Sequence, residues 1–289
     1  MKYAAGVNLQ IADYSQESDF LKMCARSKSF NVAKLANDAI IVTSEDMLCL
    51  REGESIGSKV IDCYFQILEE LSKVVGSKCR ILTVQCAFGS TFDPATHGLS
   101  LEANYLKQLW KVYVLMWKDV NFLSVDKVFI PWYINFEGTT QWSMVVVNKV
   151  QQRFEYYNSC LQDPKNEYYY ATIVFFQKFV EWQTKQEGSQ TGIKSTIGWC
   201  WLVPDPKLEE VRNLLASEIP GQKKRCDSGV LMCMYVKYLS EARPWDFTYK
   251  DVPKLRLMMV RDIVGFSNLW SGSESYQPRA GVDTSDDVD

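Results

Sequence analysis

Between residues 127 and 158 three runs of β-branched and aromatic side chains follow one another with only short polar breaks: KVFIPWYI, QWSMVVVN and QRFEYYN. Such side chains suit a pleated, half-buried surface, and breaks this short join neighbouring antiparallel strands. A further buried strand is expected over Arg80–Val84. Around this block the period changes from two residues to about 3.6. VIDCYFQILEELSKVV, within Lys59–Val75, carries apolar residues at i, i+3, i+4 and i+7 and predicts an amphipathic helix. Helices are also expected over residues 101–118 (LEANYLKQLWKVYVLMWK) and 167–185. SGVLMCMYVKYLSE reads as a buried helix from Ser228. YKDVPKLRLMMVRDIVGF closes the series with Pro253 in its first turn, where proline fits a helix.

The flanking segments differ. Residues 1–38, with SQESDFLKMCARSKSF, read as a polar helical extension. DAIIVTSEDMLCL gives a short strand-like run, followed by Ser44-Glu45-Asp46 as a helix N-cap with acidic residues in the first turn. FGSTFDPATHGLS is a loop, EGSQTGIKSTIG lacks periodicity, and Lys223-Lys224-Arg225 is a solvated loop. Residues 269–289 are polar and acidic and read as a disordered tail, which leaves 39–268 as one domain.

Composition narrows the function. The chain has no run of about 18 apolar residues, so no membrane span is expected. The first residues also lack the apolar stretch of a secretory signal. A net charge of -3 gives no basic footprint for nucleic acid. Nine cysteines, odd in number and irregular in spacing, fit free thiols in a reducing, intracellular setting, nuclear or cytoplasmic. The single histidine, His97, argues against a metal site, and no cofactor is implied. It also leaves a hydrolase only one imidazole to use as a general base.

Three ordered segments carry the chemistry: VFIPWYINFEGTTQWSMVVVN, FEYYNS and IPGQKKRCDSGVLMCMYVKYL. Together they resemble the catalytic core of the SUMO-deconjugating, ubiquitin-like-protein-specific cysteine proteases. That family has a strand ending in Ile-Pro, a His-Trp pair opening the next strand and an aromatic-Asp-Ser turn after the third. A glutamine then precedes Asp-Cys-Gly at the head of a buried helix. The closing Asp-x-Pro-x-x-Arg-x-x-Met pattern is also matched, from Asp251 to Met259, and the resemblance covers about residues 39 to 265. It implies an α+β, papain-like cysteine protease fold with a mixed central sheet flanked by helices.

The resemblance places the family's histidine on Gln141, its aspartate on Asn158, its cysteine on Ser228 and its oxyanion-hole glutamine on Gln222. Trp142, Asp227 and Gly229 take the substrate-binding positions beside them. The upstream Trp-Leu-Asn-Asp run is replaced by Ser55-Ile56-Gly57-Ser58, and an insertion is expected around residues 187–206. An amide at 141 is not a base near neutral pH, Asn158 brings no charge to stabilise an imidazolium, and an alcohol at 228 needs an adjacent base. The resemblance therefore implies a pseudoprotease that binds a SUMO-type or other ubiquitin-like modifier, or another protein. Two alternatives stand beside it. One is a residual cysteine-type peptidase or deSUMOylase using Cys226 or Ser228, with His97 as a substitute base; the other is a degenerate copy without a specific role.

Overall fold

The computed structural model describes residues 13–35, 39–74, 77–84, 86, 125–136, 139–159, 200–202 and 219–270. Helix α1 (Ser15–Arg26) buries Phe20, Leu21 and Cys24 in the common core, and Arg261 ties it down through Glu17 at 2.5 Å. The stretch expected to be helical throughout then changes character. Strand β1 (Asn31–Leu35) pairs antiparallel with β2 (Ile40–Thr43), burying Ala33, Leu35, Ile40 and Val42. Two apolar residues at a spacing of two, in a strand of five, are too short a signal to stand out beside a longer helical run. The short helix α2 (Ser44–Met47) is capped one residue earlier than expected. Thr43 Oγ1 accepts the Asp46 N–H at 3.3 Å and Asp46 Oδ2 accepts the Thr43 N–H at 3.0 Å. Ser44 is buried, and its hydroxyl accepts the N–H of Phe30.

Helix α3 (Ser58–Ser72) forms where its periodicity predicts and buries Val60, Ile61, Tyr64, Phe65, Ile67 and Leu68. The central sheet has the order β3-β4-β5-β6-β7, with β3 (Ile81–Thr83), β4 (Lys127–Phe136), β5 (Thr139–Asn148), β6 (Arg153–Asn158) and β7 (Cys200–Leu202). β4, β5 and β6 are antiparallel neighbours as their short connections require, while β3 and β7 lie parallel at the two edges, so the sheet is mixed. β7 falls inside the stretch read as an insertion; three residues carry no period from which a strand could be seen. Glu155, buried within β6, has its charge satisfied by Asn148 at 2.7 Å, Arg153 at 2.8 Å and the Tyr157 hydroxyl at 2.6 Å.

Helix α4 (Ser228–Glu241) packs against β5 and α3 and is buried at every position from Ser228 to Val236. A helix this apolar all round belongs in the centre of a domain, and its N-terminus opens at the head of β5. Helix α5 (Val252–Trp270) follows a capping box between Thr248 and Asp251 and runs two residues into the stretch assigned to the tail. Cys24, Cys49, Cys63, Cys79, Cys86, Cys226 and Cys233 are free thiols. No helix among the described residues is long and apolar enough to cross a membrane. The expected helices at 101–118 and 167–185, His97, Cys160 and the tail beyond Trp270 lie outside the described residues.

Candidate functional site

The site is built around the first turn of α4. A 3₁₀ turn, Arg225–Asp227, delivers the chain to Ser228, whose side chain stands at the positive end of a 14-residue helix. The turn is held from behind by Arg256, which is 1% exposed. Its Nη1 donates to the carbonyls of Cys49 and Arg51, each at 3.0 Å. Its Nη2 donates to the carbonyl of Cys226 at 3.1 Å and to Asp227 Oδ1 at 2.8 Å. Asp227 is thus a brace within the protein, placed beside the site by a residue of α5. Gly229 is where Trp142 and Ile56 close in: a Cβ there would sit 3.1 Å from Trp142 Cδ1 and 3.2 Å from Ile56 Cβ.

The opposite wall comes from the ends of β5 and β6. Ser143 lies opposite Asn158 in the sheet register, so Gln141, two residues along β5, shares a face with Asn158 on a diagonal. Gln141 Nε2 donates to Asn158 Oδ1 at 2.6 Å. Trp142 alternates to the other face and stacks at a tilt on Tyr133, with ring centroids 4.7 Å apart. The backbone N–H of Trp142 donates to Ser228 Oγ at 3.1 Å, which joins the strand to the helix terminus. Gln222 is doubly fastened to the end of β6: its N–H donates to the Ser159 carbonyl at 2.8 Å and its Oε1 accepts the Ser159 hydroxyl at 2.7 Å. This leaves the Gln222 Nε2 as the end able to donate outward.

Ser228 and Trp142 open onto a cleft of about 410 Å³, shared with Ser55, Ser58, Asp62 and Tyr133. Cys86 and Cys226 also reach it. Gln141 and Asn158 pair outside this lining, so the structure joins Ser228 to β5 through backbone and not through either amide. The Cys226 thiol is pushed up from its ordinary value by burial and then by Asp227, whose Oδ1 is 3.8 Å from the sulfur. A thiol held protonated is a poor nucleophile. Among the described residues no imidazole stands near Ser228, and none form a group of three or more His, Cys, Asp or Glu able to hold a metal. The basic loop is partly engaged: Lys223 lies over the Tyr249 ring, and Lys224 pairs with Glu52 at 3.2 Å.

Asp62 escaped the sequence reading. It enters the cleft from α3, and its Oδ1 accepts the N–H of Cys86 at 2.7 Å. Burial holds its carboxyl above the ordinary range, partly offset by the hydrogen bonds from Cys86, and burial drives the Cys86 thiol well above its own. The available signal was a single carboxylate inside the apolar run Val60-Ile61-Asp62-Cys63-Tyr64-Phe65. An ionisable group at that place in an amphipathic helix has to find a partner or a cavity.

Comparison with known proteins follows the same lines. The Ulp1 protease family, C-terminal catalytic domain, matches residues 54–264. Ubiquitin-like-specific protease 1A of Arabidopsis thaliana is 23% identical over 238 residues, covering 79% of this chain and 40% of that protein. Ubiquitin-like-specific protease 1 of Saccharomyces cerevisiae is 26% identical over 248 residues, covering 85% of this chain and 33% of the other. The chain therefore spans well under half the length of these two relatives. The X-ray structure of the C-terminal Ulp1 protease domain in complex with Smt3, the yeast orthologue of SUMO, superimposes with a TM-score of 0.62 at 18% identity. It covers 90% of this chain and 98% of that one. At that identity the likeness is one of fold, and the α+β arrangement with a mixed central sheet and flanking helices is the one the two share.

Proposed function

The chain belongs to the Ulp1 protease family, and from that premise we propose that it is a catalytically silent member. In this reading it holds a ubiquitin-like modifier of the SUMO type, or a protein bearing one, without cutting it. The observation that carries the proposal is the pair of amides at the sheet end. Gln141 donates to Asn158 at 2.6 Å, and neither group takes up a proton near neutral pH, so the pair offers no general base. Ser228 supports the same reading. Its oxygen receives a backbone N–H at a helix terminus, and no imidazole stands near it among the described residues to draw off its proton. What is kept is suited to binding: a braced helix terminus, a stacked Tyr133–Trp142 pair and an open cleft. The free thiols suit a reducing compartment, nuclear or cytoplasmic.

The test is a cleavage assay on ubiquitin and SUMO fusions, run beside calorimetric binding of the same modifiers. The native protein and the triple variant Gln141→His, Asn158→Asp, Ser228→Cys are compared. The native protein is expected to bind at least one modifier and cut none, and the triple variant to cut. Cleavage by the native protein overturns the reading, and Cys226→Ala and Ser228→Ala then identify the nucleophile. A native protein that neither cuts nor binds removes the modifier from the proposal.

A further inference from the structure

The cleft contains a carboxylate with no cationic side chain paired to it among the described residues. Asp62 takes its described hydrogen bonds from the backbone and thiol of Cys86, and among the described residues no lysine or arginine pairs with it. Lys59, three residues earlier on the same helix, turns instead to Asp46 at 3.4 Å. Beside the Cys86 and Cys226 thiols, Ile56 and Gly57, the lining brings two kinds of group. Ser55, Ser58 and Ser228 bring hydroxyls, and Tyr133 and Trp142 bring a tilted aromatic pair.

A carboxylate, hydroxyl acceptors and an aromatic face within one cavity are the parts that recognise a cation bearing N–H donors. The carboxylate supplies charge, the hydroxyl oxygens accept the remaining protons, and the ring face attracts the ammonium and its alkyl stem. A quaternary ammonium would use the rings and leave the hydroxyls without donors. We propose that this cleft is a binding subsite for a primary alkylammonium group, such as a lysine side chain, with Asp62 as its counter-ion. A cation there offsets the cost of burying the carboxylate, a cost visible in the upward push on the Asp62 proton affinity. The subsite does not rest on modifier binding, since a small amine probes it directly, and either proposal can fail while the other stands.

The experiment titrates the full chain with four small ligands and follows binding by ligand-observed NMR. Three are Nα-acetyl-lysine methylamide, its neutral isostere Nα-acetyl-norleucine methylamide, and the trimethylated lysine. Lysine methylamide, with its own amino terminus free and its side chain acetylated, separates a side-chain amine from a terminal one. The side-chain amine is expected to bind about tenfold more tightly than norleucine, as a charge-assisted hydrogen bond in a partly buried site implies. Trimethylation weakens it. Asp62→Asn keeps an oxygen for the Cys86 N–H, and it is expected to abolish the preference while leaving norleucine binding within about twofold. Equal binding of the lysine and norleucine compounds by the native protein overturns the proposal without reference to any variant. So does a lysine preference that survives in folded Asp62→Asn, or tighter binding of the terminal amine than of the side-chain one.

Discussion

Arg256 joins three segments far apart in the chain: the 3₁₀ turn Leu48–Leu50 after α2 with Arg51 just beyond it, the turn before Ser228, and α5 itself. Arg256→Met keeps most of the aliphatic volume and deletes all four hydrogen bonds. Removing one partner of a buried ion pair costs about 3–5 kcal/mol, because the other charge is left in a poor environment. Each carbonyl left without a donor adds about 1–3 kcal/mol unless water reaches it. Against this, the arginine Nε is itself buried without a partner among the described residues, and its removal returns about 1–3 kcal/mol. The Nε term offsets roughly one of the three carbonyls, and with water replacing the guanidinium at the other two the net expectation is a loss of about 3–5 kcal/mol. For a domain of this size that lowers the thermal midpoint by roughly 6–20 °C.

Urea unfolding followed by far-UV circular dichroism measures the loss, and Asp227→Asn with the double variant completes a cycle. The carboxylate receives only one of the four bonds, so Asp227→Asn is expected to cost less than Arg256→Met, and the double variant less than the sum. Arg256→Met within about 1 kcal/mol of the native protein would refute the reasoning, as would strict additivity. Either result would mean that the turn before Ser228 is held by packing alone.

Two further changes test the site from its other sides. Asp62 has a folded-state proton affinity raised above its ordinary value of 3.8, so the folded state binds the proton more tightly and this group lowers stability as pH rises through that window. Asp62→Asn is therefore expected to be more stable than the native protein at neutral pH, with the difference vanishing below about pH 4 in paired urea melts; a difference that persists at low pH contradicts it. Gly229→Ala would gain about 1 kcal/mol at an open helix position. Here the new Cβ meets Trp142 at 3.1 Å and Ile56 at 3.2 Å, so a net loss of about 1 kcal/mol is expected in urea melts, and a gain would show that the approach is not tight.

The parts legible in the sequence are those whose signal is local and long. Three strands of six to ten residues rich in Val, Ile and aromatic side chains could be nothing else, and their order set β4, β5 and β6 side by side. α4 was visible because it is apolar on every face from Val230 to Val236, and a fully buried helix has no polar stripe to confuse the reading. What escaped was short or non-local. β7 has three residues and takes its strand character from pairing with Arg153–Glu155, across some 47 positions of chain. The choice of Thr43 over Ser44 as the cap was settled by Phe30, whose N–H occupies the serine hydroxyl. Asp62 owes its place in the cleft to Cys86, and no window along the sequence contains both.

The sheet register makes one further point about how chemistry and fold separate at this site. Asn158 lies opposite Ser143, so the side chain that reaches it diagonally is the one at 141, and a donor there meets an acceptor at 158 whatever their charge. With Gln and Asn the pair is neutral and satisfied, and it asks for no counter-charge from the surrounding protein. With His at 141 a ring N–H would point at the same acceptor, and with Asp at 158 the same amide would still find a carboxyl oxygen. Ser228 is likewise satisfied by the backbone of Trp142, a donor that no side-chain exchange at 141 removes. Each of the three positions can therefore change between a charged and a neutral residue without leaving a bare polar group behind. The fold holds the geometry through backbone register and the Arg256 brace, and in the proposed reading the side chains at 141, 158 and 228 decide only whether a proton can move within it.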